Sequence, residues 1–340
     1  MSDYIENSLI EILSFTLGRK GIARSDNFFS VGGDSLLALA TIEQIKQRLG
    51  WNLTLADFLR NPTVADLVAH GPRARVNNDQ RPIIRMSNRG EKVPIIFIHP
   101  ESGLVFSYSK LVHELGKNRA CYGIQSPTLT GETDPGTIEE VADRYAEMIF
   151  DEFGEDEFHL IGWSMGGLIA YEIARRASDR GLGLKKLVLI DSYIWESPSQ
   201  VRSEETLLRD FRNDLMKQMH PEESSVPSLD SDTTKDAVVN EVAAALFGQP
   251  ENTNNSKAKI LVTLLFESYS ARVIALSKYR PTSELVNGLL LHSPDNDSIS
   301  AWEKFSESAL VSKPIACNHY GLLQVQHASV IAIQIEDYLL

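Results

Sequence analysis

The sequence predicts two unequal units: a small bundle of four helices over residues 1–70, then a mostly parallel α/β sheet with helices on both faces and a helical lid insertion. Three observations predict this. Apolar residues recur at helical spacing through the first 70 positions. After residue 82 short apolar runs alternate with helical segments, the pattern of a parallel sheet covered on both sides. That alternation breaks once, between Asp191 and Leu285, over more residues than a single crossover needs.

In the first unit, Tyr4–Leu17 has apolar periodicity, and Ser35–Leu49 carries Leu36, Leu39, Ile42 and Ile45 on one face. Two short helical pieces follow, one near Leu55–Leu59 and one after Asn61-Pro62 with Val64, Leu67 and Val68. Residues 71–82, from Gly71-Pro72 to Pro82, are polar and aperiodic, and read as a linker. The second unit spans 83–340. Its strand-like runs are Ile95–Ile98, Ala120–Ile124, His159–Ile161, Leu187–Ile190, Leu289–Leu291 and Pro314–Ala316. Thr137-Ile-Glu-Glu140 is a capping box for a helix continuing through Val141, Tyr145, Met148 and Ile149. In the long interval, Leu207, Phe211, Leu215 and Met219 share one helical face and Val238, Val242 and Leu246 another. Residues 196–256 are therefore expected to form a lid over the carboxyl end of the sheet, where sites in open α/β folds sit; Ile260–Tyr279 is assigned to the main fold.

Composition narrows the classes further. Lys and Arg number 33 against 46 Asp and Glu, a formal charge of −13, and 43% of residues are hydrophobic. Such a chain can bury a full core, which excludes a disordered tail or a disulfide scaffold. The acidic balance argues against nucleic acid and anionic membranes as partners. Two cysteines, Cys121 and Cys317, provide neither a disulfide framework nor metal-ligand spacing, so no metal is expected. Asp3, Glu6 and Glu11 interrupt what a signal peptide would need, and no apolar run reaches a membrane span. A cytoplasmic monomer is the expectation.

Two serines carry the chemistry. Asp26-Asn-Phe-Phe-Ser-Val-Gly-Gly-Asp-Ser-Leu36 joins two helices and puts Ser35 at the start of the second. Adjacent glycines leave the backbone uncrowded, and a helix N-terminus stabilises a phosphate, so Ser35 is placed to carry a phosphodiester. The plain alternative is a helix cap after a flexible loop.

The second serine lies in Gly162-Trp-Ser164-Met-Gly166, between a strand and the helix Leu168–Ala177. A strand-to-helix turn this sharp exposes the serine hydroxyl and aims the next N–H, that of Met165, at the same point. Such a serine needs a histidine base oriented by a carboxylate, in the chain order serine, acid, histidine. His70, His99, His113 and His159 precede Ser164; His220 falls in the lid, His292 ends a strand and His327 opens the last helix. His319 follows the final strand, on a loop that can reach the rim beside Ser164. For the acid, Asp191 ends the next strand, while Asp295 and Asp297 follow the one after it; spacing leaves these open.

Asp26, Phe28, Phe29, Gly32, Gly33, Asp34, Ser35 and Leu36 resemble the signature of the peptidyl carrier domains of nonribosomal peptide synthetases. The resemblance implies that a phosphopantetheinyl transferase attaches 4′-phosphopantetheine to Ser35. Residues 82–340 resemble the thioesterase domains that end those synthetases, in the α/β-hydrolase superfamily. That resemblance implies Asp191 as the acid and an oxyanion hole of the Met165 and Glu101 amides, Glu101 coming from His99-Pro-Glu-Ser-Gly103; its side chain could equally be a solvated loop charge. Together the two imply a chain-terminating thioesterase of nonribosomal peptide, secondary-metabolite biosynthesis. It would release a peptidyl or acyl thioester held on its own carrier through an acyl-Ser164 intermediate, by hydrolysis or macrocyclisation, both of which stay open. Condensation and adenylation domains upstream are implied partners, and the chain is expected to be part of a larger synthetase. A carrier fused to a general esterase, and a catalytically silent docking module, are the alternatives.

Overall fold

The computed structural model describes residues 2–29, 31–33, 35–51, 53, 57–58, 61–70, 83–88, 90–127, 136–194, 202–219, 234–247, 255–282, 286–306 and 310–340. The expected linker, 71–82, lies outside these residues, as do His220 and the first residues of the expected lid.

The first unit contains α1 (Ser2–Thr16), α2 (Ser35–Leu49) and α3 (Val64–His70). Of the expected short helix near Leu55–Leu59, only Asp57 and Phe58 are described, and both are helical. Leu9, Ile12 and Leu13 of α1, Ile45 of α2 and Val64 and Leu67 of α3 are fully or nearly fully buried. Phe28, Phe29 and Phe58 meet edge to face, with ring centroids 5.0–6.1 Å apart. Two consecutive phenylalanines thus close the bundle under the loop that leads to Ser35, an arrangement aromatic quadrupoles favour.

Among the described residues the second unit has seven strands: β1 (Ile83–Asn88), β2 (Lys92–Ile98), β3 (Arg119–Ile124), β4 (Phe158–Trp163), β5 (Leu184–Ile190), β6 (Gly288–His292) and β7 (Leu310–Pro314). Their order is β1-β3-β2-β4-β5-β6-β7, with β1 antiparallel to β3 and every other pair parallel. Strand side chains alternate between two cores. Ile95, Phe97, Ile161, Trp163, Val188 and Ile190 face α4 (Ser109–Leu115) and α11 (Val325–Leu339). Ile96, Ile98, Leu160, Leu187 and Leu189 face α5 (Ile138–Phe153), α6 (Met165–Arg175) and α10 (Ile299–Phe305). Burial on both faces explains why these strands read as continuous apolar runs.

Two strands differ from the sequence expectation. β1 was not expected, because a register irregularity between Arg85 and Ser87 breaks the period-two pattern of an edge strand. β7 lies at Leu310–Pro314 and not at Pro314–Ala316: it is the other edge, and its mostly exposed face carries Val311 and Lys313. Pro314 closes that strand opposite His292, a position where a missing N–H costs the ladder nothing.

Among the described residues, three helices lie in the interval after β5: α7 (Glu204–Met219), α8 (Lys235–Phe247) and α9 (Asn255–Lys278). The third starts five residues before the expected Ile260. Phe211 packs on Phe266 and Tyr269, so α7 is held to α9 by aromatic contact. Helix α2 of the first unit packs against α8 and against the 3₁₀ turn Val105–Tyr108 that follows β2. The helix that Ser35 opens is therefore seated at the carboxyl end of the sheet. Among the described residues no helix is long and apolar enough to cross a membrane.

Candidate active site

Ser164 stands between β4 and α6 at φ 56°, ψ −128°, in the left-handed region that a non-glycine residue adopts only where the surroundings impose it. The turn is held by the Ser164 N–H, which donates to Ile190 O at 3.0 Å. It also needs Gly162, where a Cβ would lie 2.2 Å from Gly166 O. A tyrosine outside any sequence motif completes the support. Tyr108 Oη donates to Ile98 O at 2.7 Å and accepts from the Trp163 N–H at 2.6 Å, joining the ends of β2 and β4 one residue before Ser164. Met165 opens α6, so its N–H is among the first-turn donors that have no partner within the helix.

Asp191 follows β5 at φ 45° and is 0% exposed. Its Oδ1 accepts from the Ser293 N–H at 2.8 Å and Asn296 Nδ2 at 2.9 Å, and its Oδ2 from Ser293 Oγ at 2.9 Å. The same Oδ2 accepts from His319 Nδ1 at 2.8 Å. Burial alone would push the Asp191 carboxyl up, but the hydrogen bond and charge of His319, with Asn296 and Ser293, outweigh it and leave its pKa below the ordinary value. A carboxylate at Nδ1 fixes the proton there and leaves Nε2 as the acceptor. The His319 ring stacks on Trp163 with centroids 4.8 Å apart, and Tyr193 and Tyr320 meet it edge-on. Asp295 and Asp297, the alternatives on the loop after the next strand, are exposed.

Glu101 lies on the loop after β2, and its side chain is not a solvated charge. Ser164 Oγ donates to Glu101 Oε1 at 2.9 Å. The same loop contains His99, 1% exposed, which donates from Nδ1 to Pro100 O at 2.8 Å and accepts the Tyr145 hydroxyl at Nε2 at 2.5 Å. Burial and the charge of Arg272 draw His99 down to about 3, against a smaller upward pull from Pro100, so it is a neutral strut. Of the other histidines weighed, His292 and His327 bond through Nδ1 to the backbone carbonyls of Ser293 and Gly321.

Helix α7 is tied to the loop that carries His319. Tyr320 Oη donates to Asp214 Oδ1 of α7 at 2.9 Å, and burial, with the Asp214 charge, pushes the phenol far up, so it stays a donor. Asp191's cradle, Tyr108 and Tyr320 were not anticipated; the one sequence signal for the cradle was the polar cluster Ser293–Ser298 after β6.

At the other serine, α2 begins at Ser35. A Cβ on Gly33 would fall 2.3 Å from the Phe28 ring and 2.6 Å from Phe28 O, so the loop closes over its phenylalanine only with glycine there. Next to it Gly32 is exposed. A helix N-terminus beside open backbone fits a serine-linked phosphate, and Ser35 is the residue that would hold 4′-phosphopantetheine. Among the described residues no group of three or more metal-ligating side chains converges.

Known proteins share both halves. A family model for the thioesterase domain matches residues 93–331, and one for the phosphopantetheine attachment site matches residues 7–70. The chain is 34% identical to malpibaldin synthetase of Mortierella alpina over 191 residues, 55% of this chain and 3% of that protein. It is 24% identical to the dimodular nonribosomal peptide synthase of Bacillus subtilis (strain 168) over 349 residues, 98% of this chain and 14% of that one. The chain thus spans at most 14% of the length of these relatives. A crystal structure of a four-domain nonribosomal peptide synthetase, in its holo form bound to AMP and glycine, superposes with TM-score 0.69 at 26% identity, covering 98% of this chain and 26% of that one. The NocB thioesterase domain, in covalent complex with a fluorophosphonate nocardicin G analog, shares the fold at TM-score 0.54 and 21% identity, covering 74% and 96%. With an α/β sheet carrying the elbow serine, and a family match over most of its length, this chain belongs to the thioesterase domain family and carries a phosphopantetheine attachment domain ahead of it.

Proposed function

We propose that the chain is the release end of a nonribosomal peptide synthetase, removing a peptidyl or acyl chain from its own carrier. Residues 1–70 would be the carrier, 71–82 the linker and 83–340 the thioesterase, with its lid over about 196–256. The observation that carries the reading is the His319–Asp191 bond of 2.8 Å, formed beside a serine held at φ 56°.

Bound at Ser35, phosphopantetheine would supply the thiol on which an acyl group is presented as a thioester. His319 Nε2 takes the Ser164 proton as Oγ attacks the carbonyl carbon, and Asp191 stabilises the imidazolium through Nδ1. The Met165 N–H and the Glu101 N–H receive the developing oxyanion. His319 then returns the proton to the departing sulfur. In the second half His319 activates water, or an amine or hydroxyl of the chain itself, to release a free acid or a macrocycle. A phosphopantetheinyl transferase loads Ser35, and condensation and adenylation domains supply the chain; the protein acts as a cytoplasmic monomer.

Ser164→Ala is expected to accept phosphopantetheine and an acyl group at Ser35 and then stall, whereas Ser35→Ala is expected to block loading. Intact-protein mass spectrometry reads both. Turnover of a loaded Ser164→Ala chain at the parent rate would refute the reading.

A further inference from the structure

We infer that the Glu101 carboxylate gates the nucleophile and reads the acyl chain: it takes the Ser164 hydroxyl before acylation, and an N–H on the carbon next to the ester carbonyl once Ser164 is acylated. The inference rests on Ser164 being the nucleophile, as proposed above.

A serine hydroxyl has one proton to give. In the structure it is given to Glu101 Oε1 at 2.9 Å, so it is not offered to His319. The placement of Glu101 is built rather than incidental. Arg272 of α9, 3% exposed, donates from Nη1 to Glu101 O at 2.7 Å and from Nη2 to Ser126 Oγ at 2.6 Å. Gly103 sits at φ +78° with Arg272 against it, where a Cβ would lie 2.6 Å from Nη2. Its N–H donates to Pro100 O and its carbonyl accepts from the Ser126 N–H, both at 2.9 Å. The loop backbone is thereby clamped on both sides of Glu101, with the carboxylate directed at the reacting oxygen.

Acylation changes what that carboxylate faces. The Oγ–H proton passes to His319, the Oγ–C bond forms, the C–S bond breaks and the sulfur leaves with the proton from His319. Oγ then has no hydrogen, and two acceptors oppose each other. A half-buried carboxylate without a donor is costly, so a replacement donor within reach is favoured. A nitrogen on the carbon next to the carbonyl is three bonds from Oγ. Aminoacyl and peptidyl chains generally carry an N–H there; a plain fatty acyl chain presents only C–H. The chemistry at Glu101 therefore selects peptidyl over fatty acyl chains.

The test uses the full chain with Glu101→Ala and Glu101→Gln, both of which keep the residue-101 N–H. The first readout is the labelling rate of Ser164 by an alkyl fluorophosphonate, which carries no such N–H. Freed of one hydrogen bond, Ser164 in Glu101→Ala should label about three- to tenfold faster. The second is release from Ser35 loaded with an N-acetylaminoacyl group against a straight-chain fatty acyl group of similar length. Loss of a charge-assisted contact should lower that ratio about tenfold in Glu101→Ala, with Glu101→Gln between Ala and the parent. A labelling rate unchanged or slowed in Glu101→Ala, or a ratio within twofold of the parent, overturns the inference while leaving the nucleophile assignment standing. Loss of labelling in a folded Glu101→Gln, judged by its circular dichroism melt, would make the carboxylate the base and also overturn it. If Ser164 of the parent does not label at all, the function proposed above fails first.

Discussion

Removing the Tyr108 hydroxyl isolates what holds the turn at Ser164. Tyr108→Phe leaves the ring in place against Phe97, centroids 4.8 Å apart, and deletes one oxygen. That oxygen satisfies two buried backbone groups, Ile98 O and the Trp163 N–H, in residues 0% and 3% exposed. Each group left unpaired costs about 1–3 kcal/mol, giving about 2–6 kcal/mol together. At about 2–4 °C per kcal/mol for a domain of this size, that is a fall in Tm of about 4–24 °C. Urea unfolding should report the loss as a lower midpoint at unchanged slope. Because the Trp163 N–H immediately precedes Ser164, fluorophosphonate labelling should slow in the same variant at a temperature where it is folded. Burial holds the Tyr108 phenol well above its usual range, so neither effect should depend on pH near neutrality. A midpoint equal to the parent's would refute the argument that this hydroxyl supports the elbow.

Other consequences follow from the same geometry. Asp191→Asn should lower acyl release by a factor on the order of 10³ to 10⁴, by disturbing the tautomer of His319, while leaving loading at Ser35 unchanged. Since the Asp191 carboxyl sits below its ordinary 3.8, its ionised form is favoured by folding; that contribution is complete above 3.8 and is lost only as pH falls further, through the folded-state value. The buried histidines act at milder acidity. Burial pulls His159 from 6.5 to about 4, so the unfolded chain takes up a proton that the folded chain refuses. Stability should therefore be level above pH 6.5 and decline below it, by at most about 1.4 kcal/mol per pH unit for each such histidine. A melt series in which His159→Asn leaves the acid limb as steep as the parent's would contradict this.

The elements legible in the sequence were those whose physics is local. Gly162-Trp-Ser164-Met-Gly166 announces its turn because the close approach of Gly162 to Gly166 O leaves no room for a side chain. Ile95–Ile98 and Leu187–Ile190 read as strands because both their faces are buried. Thr137 and Glu140 formed the reciprocal cap that their spacing implied. Of the edge strands, β1 escaped because it is irregular in register, and β7 was expected four residues too late because it is half exposed. What links distant segments was also illegible. Ser293 and Asn296 hold Asp191 from more than 100 positions away, Tyr108 reaches Trp163 across the ends of two strands, and Arg272 reaches the Glu101 loop from α9. Glu101 shows the limit most plainly: its motif directed attention to a backbone N–H, and only the folded chain placed its carboxylate on Ser164.

The measurement that tests the central claim most directly is a rapid-quench time course of the full chain loaded at Ser35 with an N-acetylaminoacyl group. Proteolysis and mass spectrometry then locate the acyl mass. The account predicts that it leaves the Ser35 peptide, appears transiently on the Ser164 peptide at a rate independent of protein concentration, and then departs. Acyl loss from Ser35 at the same rate in Ser164→Ala, with no acyl mass ever found on the Ser164 peptide of the parent, would contradict it.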